Sequence, residues 1–389
     1  MSNSTTSAQP ILSSEKDSFS WKVLTQRHPT LIDQIESAHP YPPEIRRRLD
    51  ALREEITGTI QPLPDGAAGK HAWDCWGEGV YGRDWLDAPF LWAESYFYRL
   101  LLEAVGYYEH GPWHGIDPFV QKNTELHAAE LAAELAAMNP EHDDSSTETA
   151  TLIHAALWGN RADLGFRISD PTSAAREHDD ANIIADQTTQ AVELLRSVTD
   201  GTIALIADNS GRELIPDLLL IDHLLRVNTG LKVELHLKPH PYYVSDATTT
   251  DFLSTLRLLA SIPGRASETA EHLDAALRND RLRLSSHEFY CAPMPFHEMP
   301  TDLNDQLAAT DAVILKGDLN YRRLAGDQHW PTATPFNRLT EYFPSAVIAL
   351  RTLKSDLAIG IDGSTSTRLE SSDPAWRISG HYGVVQTRP

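Results

Sequence analysis

Cysteine is nearly absent. Cys75 and Cys291 are the only two in 389 residues, which excludes a disulfide framework and any zinc ribbon and suits a reducing compartment. Basic residues are also scarce, 33 against 55 acidic ones, and the resulting net charge of −22 repels nucleic acid and anionic membranes. A phosphate-bearing partner must therefore be met by a local cationic site, and a small substrate fits better than a polymer. No apolar run reaches membrane-spanning length, and the amino terminus, MSNSTTSAQP, lacks a basic flank followed by an apolar core. The expectation is a soluble protein in the cytoplasm, with the nucleus as a second compartment, and its oligomeric state stays open. There is no GxSxG elbow and no GxxxxGK[ST] loop, so the serine hydrolases and P-loop enzymes are excluded.

What is present is a change of hydrophobic period along the chain. From Pro42 to Leu157 the pattern is helical: Ile45, Leu49, Leu52 and Ile56 form one stripe, Pro89 to Ala104 is a strongly apolar helix carrying Glu94 and Arg99, and further helices are expected at Gln121–Met138 and Thr149–Leu157. Gly77, Gly79 and Gly82 spell GxGxxG, but no apolar strand precedes them, so the dinucleotide fingerprint lacks its context. Ser169 to Asp180 is a polar connector. After the helix Gln187–Ser197, strands and helices alternate, which argues a mostly parallel sheet covered on both faces. The expected class is α/β: a disordered tail over 1–20, a helical amino-terminal domain over 21–180, and a three-layer α/β/α domain over 181–389 with a mainly parallel sheet.

Polar residues crowd the expected strand ends, where ligands bind in such sheets. Thr202–Ala207 breaks at Asp208 and Asn209, before a helix that begins near Leu214 and whose free N–H groups favour an anion. Lys232–Lys238 runs into Pro239 and Pro241 and delivers Asp246. Asp311–Leu315 ends in Lys316, Asp318, Asn320 and Arg322, and Ala346–Leu350 ends in Arg351 and Lys354. Asp208, Asn209 and Asp246 offer only oxygen ligands, which suits a hard or borderline divalent ion. Asp and Asn are also ordinary capping and turn residues, and spacing alone leaves both readings open. The bases and amides at the other corners can grip phosphate or sugar hydroxyls, or form surface ion pairs. Glu94, flanked by aromatics, is a candidate to line the cleft. His236 and His240 are four apart, but on a strand running into prolines, so no two-histidine zinc face forms.

Across nearly its whole length the chain resembles the metal-dependent damage-control phosphatases of domain-of-unknown-function family 89, in the subfamily of acidic residue methyltransferase 1. The resemblance is carried by ADNSGREL at 207–214, LKPHPYYVSDAT at 237–248, LKGDLNYRRLAGD at 315–327 and RTLKSD at 351–356. WLDAPFLWAESYFYR at 85–99, LWGNRADL at 157–164 and WRISGHYGVVQ at 376–386 add to it. It implies that Asp208, Asn209 and Asp246 are the catalytic metal ligands for manganese, cobalt, nickel or magnesium. It also implies that Asp318, Leu319, Asn320, Tyr321 and Arg322 contact substrate, and that Lys354 binds its phosphate. Ser210, Arg212, His240 and Tyr242 depart from the family pattern and bear on substrate preference. The implied activity is hydrolysis of small phosphomonoesters, such as fructose 1-phosphate, with water as the favoured nucleophile. The alternatives are a protein carboxyl methyltransferase using S-adenosylmethionine, which lacks a glycine-rich loop here, and a non-catalytic sugar-phosphate sensor.

Overall fold

The computed structural model describes residues 8–120, 145–159 and 181–389. The helix expected at Gln121–Met138, the connector Ser169–Asp180 and the stretch Asn160–Asp163 lie outside them. The helical portion comprises α1 (Phe19–Lys22), a π turn (Val23–Arg27), α2 (His28–Ala38), α3 (Pro43–Glu55), α4 (Lys70–Trp76), α5 (Phe90–Ala104) and α6 (Ser145–Leu157). The stripe Ile45, Leu49, Leu52 and Ile56 is buried as its spacing requires. The composition of the first twenty residues misleads in part. Ile11 and Ser13 are buried, and bridges join Pro10 to Gln328 and Leu12 to Pro89, so residues 10–20 are anchored. Here an apolar Ile-Leu pair outweighs the polarity around it.

The sheet portion runs β1 (Ile183–Asp186), α7 (Thr188–Ser197), β2 (Thr202–Ile206), α8 (Leu214–Val227), β3 (Lys232–Leu237), α9 (Thr249–Ala260), α10 (Arg265–Arg278), β4 (Leu282–Ser286), α11 (Thr301–Ala308), β5 (Ala312–Lys316), α12 (Gly317–Ala325), α13 (Phe336–Thr340), β6 (Ala346–Thr352), α14 (Gly363–Ser372) and β7 (Gly383–Arg388). The seven strands lie in the order β1-β7-β6-β5-β2-β3-β4. All pairings are parallel except that of β6 with β7. After β2 the chain adds β3 and β4 on one side and then returns to lay β5 on the other. The β2/β5 junction is thus the switch point at which a crevice opens beyond the strand ends.

Alternation along the strands divides the core into two layers. Ile203, Leu205, Ala312 and Ile314 face α6 to α10, and Ala204, Ile206, Val313 and Leu315 face α11 to α14. A third cluster fills the helical portion and includes Tyr242, Cys291 and Leu319 from the sheet portion. Leu205 is wholly buried in the first layer. Leu205→Ala should lower the unfolding free energy by about 2–5 kcal/mol in urea titration; a loss below about 0.5 kcal/mol would contradict this core.

Candidate active site

Two strand ends meet at the switch point. Asp208 follows β2 by two residues, and its main-chain carbonyl accepts from Ala247 N at 2.8 Å. Asn209 bridges to Asp246, so the β2 corner and the loop after β3 are joined directly. A turn over 210–213 intervenes before α8, and the Asn209 side chain reaches the α8 N-cap, Glu213. The corner also faces the start of α12: a Cβ built on Gly317, whose φ is +85°, would clash with Asp208 Oδ2. The α12 N-cap, Lys316, makes no side-chain cap hydrogen bond, and a helix N-terminus favours an anion.

Asn209 Nδ2 donates to Asp208 Oδ2 at 3.1 Å and to Glu213 Oε2 at 2.6 Å. Its Oδ1 accepts from Ser245 Oγ at 2.6 Å, leaving the second lone pair of that oxygen. Asp246 is buried and pairs with Lys238 Nζ at 3.2 Å, but neither atom makes a hydrogen bond. Asn320 donates to the carbonyls of Ala207 at 3.1 Å and Lys316 at 2.8 Å, and holds Oδ1 buried with no donor. Burial pushes the Asp208 carboxyl well above the usual range; Glu213 and Asp246 add to this, and Lys354 and Lys238 oppose it. Burial likewise pushes Asp246 up to about 6, against Lys238.

These features fit a divalent cation. The donors are hard oxygens, Asp246 Oδ2 and Asn320 Oδ1 lack hydrogen-bond partners, and the carboxylates are costly to ionise without positive charge between them. Among the described residues no three His, Cys, Asp or Glu side chains are grouped to hold an ion, so the Asn209 carboxamide is needed to complete the set.

The second set of candidates separates into three groups. Asp318 and Lys354 belong to the crevice. Asp318 Oδ1 accepts from Arg351 Nε at 2.8 Å, Lys354 N at 3.2 Å and Ser355 Oγ at 3.1 Å. Burial acts to raise the Asp318 carboxyl, but Arg351 and Arg322 outweigh it and hold it below the usual range. The Lys354 side chain is 39% exposed and its Nζ lies 3.5 Å from Glu213. Burial acts to lower its pKa, and Glu213, Asp208 and Asp318 together raise it. Arg351 and Tyr321 lie beneath Asp318: the guanidinium sits 4.4 Å over the Tyr321 ring, whose hydroxyl bonds Gln386. Leu319 packs into the helical core, so only its main chain can meet a ligand.

Glu94 and Arg322 form an interior ion set. Arg322 donates to Glu94 at 2.7 Å and, through Nε and a terminal nitrogen, to both oxygens of Asp327 at 2.9 and 3.0 Å, while lying over Phe90. Lys316 does not join the crevice. The strand alternation turns it to the opposite layer, where it pairs with Asp217 at 3.1 Å and donates to the Ala156 carbonyl. Its expected place beside a phosphoryl group is thus corrected. His236 and His240 bind Tyr290 and the Pro241 carbonyl, respectively.

Glu213 was not singled out in the sequence, yet it contacts both Asn209 and Lys354. Its position five residues after Asp208, at the last residue before α8, was the available signal.

The mainly parallel three-layer arrangement defines the fold class of this protein, and the comparisons agree with that fold. A crystal structure of a DUF89 family protein from Pyrococcus horikoshii superposes with a TM-score of 0.51 at 13% identity, over 95% of this chain and 98% of that one. Residues 23–368 match the damage-control phosphatase ARMT1-like domain, and the chain belongs to that family. It is 28% identical to damage-control phosphatase ARMT1 of Mus musculus over 97% of this chain and 98% of that protein. It is 31% identical to the protein of that name in Xenopus laevis, over 78% and 75% of the two chains.

Gly317→Ala should leave a folded protein whose melting temperature no longer rises with manganese. The added Cβ must displace the Asp208 carboxylate, and φ is unfavourable besides. A variant stabilised by manganese as fully as wild type would show that the cradle is not needed.

Proposed function

We propose that the protein is a metal-dependent phosphomonoesterase acting on small sugar phosphates, of which fructose 1-phosphate is the representative substrate. The observation that carries this reading is the convergence of Asp208, Asn209 and Asp246 with Lys354 and the uncapped start of α12 on one crevice. A divalent ion (manganese, cobalt, nickel or magnesium) held by Asp208, Asn209 and Asp246 supplies Lewis acidity at the phosphoryl group.

The remaining work falls to the chain itself. Lys354 and the first-turn N–H groups of α12 offset charge on the equatorial phosphoryl oxygens, where positioning and electrostatics dominate catalysis. Glu213 holds both Asn209 and Lys354 and so fixes the spacing between the metal side and the phosphate side. Arg351, Ser355 and Lys354 N all bind Oδ1 of Asp318, which leaves Oδ2 for a sugar hydroxyl. Arg322, with both edges of its guanidinium committed to Glu94 and Asp327, acts as a strut under α12. Asp208 would be committed to a bound cation, which favours water over this carboxylate as the attacking group. The described residues contain no helix long and apolar enough to cross a membrane, and a cytoplasmic setting accords with the paucity of cysteine.

The test is phosphate release from p-nitrophenyl phosphate and a panel of sugar phosphates by chelator-treated protein with each metal restored. Wild type should release phosphate only with metal, and Asp208→Ala should lose at least about 10²-fold in rate. Metal-independent release, or no release from folded protein, would remove the reading. Binding of S-adenosylmethionine that survives chelation would favour the methyltransferase instead.

A further inference from the structure

A groove of about 520 Å³ lies beside the crevice, lined by Phe19, Lys22, Gln26, Arg27, Gln34 and Val244 among others. Its lining contains two cations, two carboxamides and no carboxylate, in a chain where acids outnumber bases 55 to 33. Lys22 and Arg27 are exposed, and among the described residues neither forms an ion pair. Several other arginines of the helical portion are paired, as Arg48 is with Glu109 and Arg53 with Asp33 and Asp50, while among the described residues Arg47 and Arg83, like Arg27, form no ion pair.

The groove meets the reaction crevice through one loop, and the interior Arg322–Glu94 set through two further contacts. Val244 is followed by Ser245, which bonds Asn209, and then by Asp246, so one short loop walls both spaces. Tyr243 and Val244 both have positive φ, +45° and +71°, a costly conformation for a β-branched valine that a fixed wall position accounts for. Phe19 meets Phe90 edge-on at 6.0 Å, and Arg322 lies over the far ring. The positive charge of Arg27 adds to that of Arg322 in lowering the Glu94 carboxyl, which burial nonetheless keeps raised.

The backbone explains why Arg27 is where it is. Pro29 cannot donate to the helix ladder and its ring crowds the carbonyl of Thr25, so the chain widens into the π turn Val23–Arg27 between α1 and α2. Single π turns of this kind are commonly found at functional sites.

We propose that this groove is the distal subsite of the active centre and that Arg27, with Lys22, selects substrates bearing a second anionic group, a phosphate or a carboxylate, at the end remote from the phosphate that is cleaved. The proposal rests on the phosphatase reading for its chemistry, but its binding test does not.

The kinetic experiment compares wild type, Arg27→Gln, Arg27→Lys and Lys22→Gln on fructose 1,6-bisphosphate, 6-phosphogluconate, fructose 1-phosphate and p-nitrophenyl phosphate. In Arg27→Gln the ratio of kcat/KM for the first two to that for p-nitrophenyl phosphate should fall about tenfold, through KM, as loss of one charge-assisted hydrogen bond implies. Arg27→Lys should recover part of the loss. The first two substrates separate a second phosphate from a carboxylate, and fructose 1-phosphate reports a neutral tail. A ratio unchanged by Arg27→Gln and by Lys22→Gln overturns the subsite. Independently of turnover, calorimetric titration with 6-phosphogluconate should give a Kd about tenfold weaker for Arg27→Gln. Equal Kd values, or no binding by wild type, overturn the subsite whether or not phosphate is released.

Discussion

The carboxylate of Asp208 occupies the space that any side chain at position 317 would need. Because Gly317 leaves that space open, the end of β2 and the start of α12 approach closely enough to share a crevice at the switch point. The same contact joins the two halves of the proposed chemistry. On one side stand Asp208, Asn209 and Asp246; on the other stand the uncapped α12 terminus, Asp318 and Lys354. Asn320 ties the halves from beneath, donating across to the Ala207 carbonyl at 3.1 Å.

Around this contact the protein distributes its buried charge unevenly. In the Arg322 set one guanidinium hydrogen-bonds two carboxylates, Glu94 and Asp327, and Lys316 with Asp217 is a one-to-one pair on the far side of the sheet. Such groups are tolerated in the interior because each is paired. The β2 corner differs in how its acids are held: Asp208, Asp246 and Glu213 gather there against Lys238 and a half-exposed Lys354, and the Asp246–Lys238 contact makes no hydrogen bond. Buried carboxylates whose oxygens lack hydrogen-bond donors are what a divalent ion relieves.

Much of the architecture could be read from the sequence, because the central strands are continuous apolar runs and the helices carry clear periods. β1 was missed: four residues ending in Ala185 and Asp186, following a polar stretch, give no alternation to read. α10 was missed for a different reason, its buried face being made mostly of alanines and one leucine, Leu273. In the site, the strand-end acids and amides were legible because polar residues interrupt apolar runs there. What local reading could not supply was facing. Lys316 follows Leu315 directly, and the alternation of a strand assigns the two to opposite layers. Nor could spacing show that Arg322 reaches Asp327 around the left-handed Gly326, or Glu94 from 228 residues away.

The measurement that bears most directly on this account is a crystal structure of the protein grown with manganese, with anomalous scattering used to locate the ion. The account predicts one peak within coordination distance of Asp208, Asn209 and Asp246, absent in Asp208→Ala. A peak elsewhere, or an ordered Asp208 corner with no ion at saturating manganese, would contradict it.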